Sequence, residues 1–198
     1  QDDGSYKFNL NQTVNFYGIP YTQARVSSNG YITFSNFGTD YTNDCPVGSP
    51  DNPNINIMPF WDDLDFRTQG NIYLETQGIA PTRVRIIQWT GAGFFADPAA
   101  DVTFQVVIYE ASGWIEFHYQ GMNGLPGDGN SATIGIEDDP RVGGAGNALE
   151  ISCNTSGVLA NAAFRIQRGS GTGGINGVPG SISLALGGTQ ALSISVGS

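Results

Sequence analysis

Residues 59–66 read Pro59-Phe60-Trp61-Asp62-Asp63-Leu64-Asp65-Phe66, which places three carboxylates within four positions and three aromatic rings around them. Calcium takes about six to eight oxygen ligands from such side chains and loop carbonyls, so Asp62, Asp63 and Asp65 are the candidate ligands and calcium the candidate ion. Two features weigh against it. The spacing departs from the D-x-[DN]-x-[DN]-G loop, and a strand sends Asp62 and Asp63 to opposite faces. A glycosidase pair would need a second carboxylate at a fixed distance, and nothing selects one from Asp97, Asp101, Glu137, Asp138 and Asp139. The expected reading is therefore plain: Phe60, Trp61 and Phe66 anchor a strand end in the core, while the aspartates keep its turn solvated and fix it through backbone N–H groups.

The other chemistry-bearing residues are few. His118 is the one histidine, and any Ser-His-Asp or Cys-His arrangement would have to run through it. In "GWIEFHYQ" it shares a strand face with Trp114 and Glu116, the ordinary setting of an exposed sheet residue, and no G-x-S-x-G motif accompanies it. One histidine and two distant cysteines cannot build a zinc site. Cys45 and Cys153 are expected to form a disulfide, whose loop closure would stabilise the fold by about 4–5 kcal/mol. No enzyme activity and no cofactor are expected. Trp89, Phe94, Phe95 and Trp114 are candidates for a sugar-binding platform, with core packing the competing use.

These residues must be positioned by strands. Of 198 residues 39% are hydrophobic, 28 are glycine and only 13% are charged, and runs of Ala, Leu, Glu and Lys are nearly absent. Short alternating stretches of Thr, Val, Ile, Tyr and Phe recur instead, as in 6–10, 23–27, 54–61, 71–75, 83–89, 131–138, 148–152 and 162–168. Asn29-Gly30 opens the aromatic strand of "SSNGYITF", and Ala111-Ser112-Gly113 turns the hairpin of 102–120. About ten strands separated by turn signals predict an all-β fold, an antiparallel β-sandwich of jelly-roll type spanning 1–168.

Net charge is −10, so the surface cannot neutralise phosphates, and nucleic acid is not an expected partner. No run of 18 apolar residues predicts membrane insertion. The disulfide and the acidic, Gly-, Asn- and Thr-rich composition point to secretion or the cell surface. Asn11-Gln12-Thr13 and Asn154-Thr155-Ser156 are glycosylation patterns compatible with export. The opening "QDDGS" carries no basic or apolar leader and is expected to be a processed end.

The order "FYGIPYTQARVSSNGYITF", "NPNINIMPFWDDLDF", "GNIYLE", "RVRIIQW", "TFQVVIYEASGWIEFHY" and "ATIGIED" resembles a β-sandwich domain of secreted bacterial and archaeal proteins. Such domains are appended to exported peptidases and large surface proteins and are distantly similar to nidogen-type extracellular domains. The resemblance covers about residues 14–168 and implies an extracellular, non-catalytic module, with no catalytic residues to carry over.

Beyond it, 169–181 is a Gly-rich linker reaching about 43 Å when extended, and 182–198 is an uncharged amphipathic β tail, one strand or a hairpin. Ile182, Leu184, Leu186, Leu192, Ile194 and Val196 share its apolar face; burying them would contribute on the order of 9–18 kcal/mol before ordering entropy. The expected function is an extracellular structural subunit that joins other copies head to tail into a filament or surface layer by strand addition of this tail. The alternative is a monomeric carbohydrate- or adhesion-type binding module, with a surface glycan as its partner and the tail paired in its own sheet.

Overall fold

Alternation becomes burial on the first strand. In the computed structural model, β1 (Ser5–Phe16) turns Phe8, Leu10, Val14 and Phe16 inward and leaves Lys7, Asn9, Asn11 and Thr13 exposed. The structure describes residues 2–45, 47–48, 53–139, 148–157 and 162–167, together with the backbone of 182–186 and 190–194. The strands that follow are β2 (Ile19–Ser27), β3 (Ile32–Thr33), β4 (Asn56–Trp61), β5 (Leu64–Asp65), β6 (Asn71–Gln77) and β7 (Val84–Phe94). After them come β8 (Asp101–Tyr109), β9 (Ile115–Asn123), β10 (Thr133–Glu137), β11 (Ala148–Cys153), β12 (Ala163–Ile166), β13 (Ile182–Leu186) and β14 (Gln190–Ile194). Among the described residues the only helical turn is the 3-10 segment Pro126–Asp128, so no helix is long and apolar enough to cross a membrane.

Two antiparallel sheets face each other. One runs β1-β2-β3-β4-β10-β11; the other runs β12-β9-β8-β7, and β7 carries both β5 and β6 on its far side. The inner faces share one core in which Ile57, Phe60, Leu64, Ile87, Trp89, Val102, Phe104, Phe117 and Ile134 are all but inaccessible. Polar tips of the large aromatics are satisfied across the sandwich. Trp89 Nε1 donates to the Ser27 carbonyl at 2.9 Å and Tyr119 Oη to the Pro59 carbonyl at 2.6 Å. Cys45 and Cys153 are joined as a disulfide, Cα–Cα 5.7 Å, tying the long loop before β4 to the end of β11.

The two sequence stretches that carried the resemblance lock into each other. Gly30 adopts φ +78°, and a Cβ there would lie 1.8 Å from the Phe60 carbonyl oxygen, so no side chain fits. Asn29 is fully buried: its Nδ2 donates to Asp3 Oδ1 and the Asp40 carbonyl, and its Oδ1 accepts from Leu64 N. The expected reading of 59–66 needs one correction. Phe60 and Trp61 are buried, Trp61 against Tyr31 and Met58, and Phe66 packs on the core. Asp62 and Asp65, however, are themselves buried at 8% and 7% exposure rather than solvated. Asp62 holds its turn through Asp63 N at 2.8 Å and Ser131 Oγ at 2.7 Å, and Asp65 accepts from the Arg67 backbone and guanidinium. A buried carboxylate must have such partners, and these have them.

At the C-terminus, β13 and β14 pair with each other as an antiparallel hairpin, with β13 beside β12 but hydrogen-bonded into neither main sheet. The linker 169–181, Val196 and the side chains of Ile182, Leu184, Leu186, Leu192 and Ile194 lie outside the described residues.

Candidate functional site

The hairpin of β8 and β9 sends Val102, Phe104, Val106, Ile108, Ile115, Phe117 and Tyr119 into the core and side chains such as Gln105, Glu116 and His118 to the outer face. On that outer face Glu116 is only 6% exposed, yet fully partnered. Its carboxylate accepts from Tyr109 Oη at 2.8 Å, His118 Nε2 at 2.9 Å and Arg165 Nε at 2.6 Å. Arg165 comes from β12 because Glu116 and Arg165 are direct cross-strand partners. Its guanidinium lies 4.4 Å from the centroid of Trp114, whose ring meets Tyr109 edge-on. Burial alone would push the Glu116 carboxyl up; the His118, Arg165 and Tyr109 bonds outweigh it and hold the group below the usual range. His118 is thus bonded to a carboxylate, and among the described residues it has no hydrogen bond to a serine or cysteine; both cysteines are in the disulfide. The cluster presents a carboxylate, a guanidinium, an imidazole and two aromatic rings, groups that can bind and orient a ligand.

Among the described residues, the carboxylates that converge are Asp2, Asp3 and Asp63, with one oxygen from each within 4.8 Å of the others. Asp62 and Asp65 turn away to Ser131 and Arg67. Asp63 is pushed up to about 6, first by burial and then by the neighbouring Asp3, Asp2, Asp62 and Asp65. Three oxygen donors suit a hard cation, though Arg67, 3.5 Å from Asp2, already supplies positive charge there. Spacing along the chain points to Asp63 but not to Asp2 and Asp3, which the N-terminal segment brings to it, held by Asn29 on Asp3 and by the Gly4–Ser28 bonds.

The most deeply buried acid among the described residues, Glu137 on β10, is 1% exposed. It accepts from Gly48 N at 3.0 Å and Asn56 Nδ2 at 2.8 Å, and burial lifts it to about 7. It pins the loop that carries Cys45. A shallow groove of about 400 Å³ at the bulge of β1 is walled by residues such as Asn9, Asn11, Thr22, Gln23 and Arg83. Arg83, its one cation, is committed to Glu110.

A family model described as NIDO related matches residues 1–177. The chain belongs to that family. No curated protein and no solved structure shows a significant match to it.

In this NIDO-related domain the matched region begins upstream of residue 14 and runs past 168, so it includes the acidic corner as well as the outer-face cluster. Of the aromatics named from sequence, Trp89 and Phe94 are core residues, Phe95 is half exposed under the Arg67 guanidinium, and Trp114 alone joins the outer-face cluster. Two further residues complete the cluster: Arg165, directly opposite Glu116, and Tyr109, two residues along β8 from Val107, the other cross-strand partner of Glu116. Asn11 and Asn154 are exposed at positive φ, +62° and +46°; Asn11 Nδ2 bonds Thr76 Oγ1, and Asn154 Oδ1 accepts from Asn43.

Proposed function

We propose that this chain is an extracellular, non-catalytic structural module that joins copies of itself by adding its C-terminal β segment to a neighbour's sheet edge. The observation that carries the reading is the pairing of β13 and β14. Among the described residues the two strands pair with each other and, although β13 lies beside β12, join neither sheet of the sandwich, whose core is formed without them. A two-stranded hairpin alone is marginal in water, so the segment gains by extending a larger sheet. An edge is on offer among the described residues: β1 has a strand neighbour only in β2, whereas β12 has β9 on one side and β13 beside it. Main-chain bonds would give affinity, and the alternation of Ile182, Leu184 and Leu186 with Ser183 and Ala185 would give register. A donor on one face and an acceptor on another make a head-to-tail contact, which propagates as an open filament or layer.

The disulfide and the NIDO-related family support the extracellular setting. The reading assigns no catalysis and no cofactor. Size-exclusion chromatography with light scattering tests it: the full chain should run as concentration-dependent multimers, and the chain lacking 169–198 as a folded monomer. A full chain that stays at 21 kDa across concentrations would favour the monomeric carbohydrate- or adhesion-type module instead.

A further inference from the structure

The outer face of the second sheet carries a row that the assembly reading does not use. Strand register places Tyr73 opposite Gln88, Gln88 opposite Gln105, and Gln105 opposite His118, one residue from each of four adjacent strands. Three inter-strand spacings make that row about 14 Å long. The next row holds Glu75, Ile86, Val107, Glu116 and Arg165, also in register, and the Glu116 network described above fixes its far end.

We infer that this face is a binding surface for a neutral polysaccharide lying along the Tyr73–His118 row. Three features select that ligand. Each amide carries an acceptor oxygen and two N–H donors, and each sugar hydroxyl is both donor and acceptor, so the two chemistries match without charge. Gln105 has no side-chain hydrogen bond among the described residues, and Gln88 uses only Nε2, donating to Thr90 Oγ1 at 2.7 Å. Both are part-exposed, and their unused donors and acceptors face outward. Secondly, the row ends in a ring on each side, with Tyr73 55% exposed at one end and His118, its side chain 40% exposed, at the other; Trp114 lies two rows away, beyond Glu116. Rings of that kind offer an apolar body to sugar C–H faces and a polar tip to hydroxyls. Thirdly, the Tyr73–His118 row holds no carboxylate, although the molecule carries −10 overall; of the two acids in the next row, Glu116 is balanced by Arg165, and Glu75 is exposed and accepts from Gln77. A neutral chain fits that surface. A nucleic acid is repelled by the molecule's charge, and the amide row lacks the apolar centre of a protein interface.

The inference stands apart from the tail, so the two fail separately. The full-length protein is tested on an array of immobilised neutral and uronic-acid polysaccharides, with Tyr73→Ala, Gln105→Ala and a control, Tyr41→Ala, on a distant loop. Retention by at least one neutral polysaccharide is expected, weakened about five- to tenfold by Gln105→Ala and by Tyr73→Ala and unchanged by the control. All variants should keep the wild-type urea midpoint. The inference is overturned if no neutral polysaccharide is retained, if only uronic-acid polymers are, or if the row variants bind as wild type does. A loss of self-association in the row variants, with no change on the array, would make the face a contact between copies and overturn it equally.

Discussion

Replacing Glu137 by glutamine should flatten the dependence of stability on pH between 5 and 8. Glu137 is buried under the loop of residues 47–48, and its carboxyl is lifted from an ordinary 4.5 to about 7, chiefly by burial. In the unfolded chain it returns to about 4.5. Below that value both states hold the proton and the group contributes no slope. Between about 4.5 and 7 the native state retains a proton that the unfolded state has released, so stability falls as pH rises. The difference amounts to about 3 kcal/mol by pH 8, at 1.36 kcal/mol for each pKa unit. Glu137→Gln removes this linkage at the cost of one hydrogen bond. A single amide cannot accept from both Gly48 N and Asn56 Nδ2 unless Asn56 turns over, and Asn56 Oδ1 now lacks a partner. That loss is worth about 1 kcal/mol. The variant should therefore be slightly less stable than wild type at pH 5 and about 2 kcal/mol more stable at pH 8. Urea unfolding followed by fluorescence of the buried Trp61 and Trp89 reads this directly. Asp63, lifted to about 6, leaves some residual slope in both proteins. Asp65, Glu110 and Glu116 are lowered, so their contributions are lost only as pH falls below the carboxylate range, outside the window. Parallel pH profiles for wild type and variant would refute the reasoning.

Other consequences are as concrete. Replacing Cys45 and Cys153 with serine opens a closure of 108 residues and should cost about 4–5 kcal/mol in urea unfolding; an unchanged midpoint would show that the link bears no load. Gly30→Ala should cost about 3 kcal/mol or more, because the new Cβ meets the Phe60 backbone. Gly113→Ala, at a similar φ but with nothing within 4 Å, should cost only about 1 kcal/mol, and equal losses would mean that φ rather than the contact decides. Trp89→Phe strips the Ser27 carbonyl of its donor inside the core and should cost about 1–3 kcal/mol by the same assay.

The sandwich was legible because a half-buried strand writes itself as alternation: the runs at 71–75 and 102–120 fall on β6 and the hairpin of β8 and β9, and 83–89 covers the first part of β7, which continues to Phe94. The first strand was read short. Past Asn9 its register with β2 slips before resuming at Val14, with Asn11 at positive φ and Gln12 turned inward to donate to the Ile108 carbonyl, so a polar residue occupies a core position. The site was only half legible. Trp114, Glu116 and His118 share a face by simple parity, but Arg165 joins them through a pairing of residues 49 apart. Asp62 and Asp65 illustrate the limit from the other side: their residue type signals a wet turn, and only tertiary partners such as Ser131 allow them to be buried.

The central claim is that the C-terminal segment links copies of the chain. Electron microscopy of the full-length protein beside the same protein cut before Gly169 addresses it in one comparison. Fibres or sheets from the first and dispersed single particles from the second are predicted. Dispersed particles from both, or ordered assemblies from both, would contradict it.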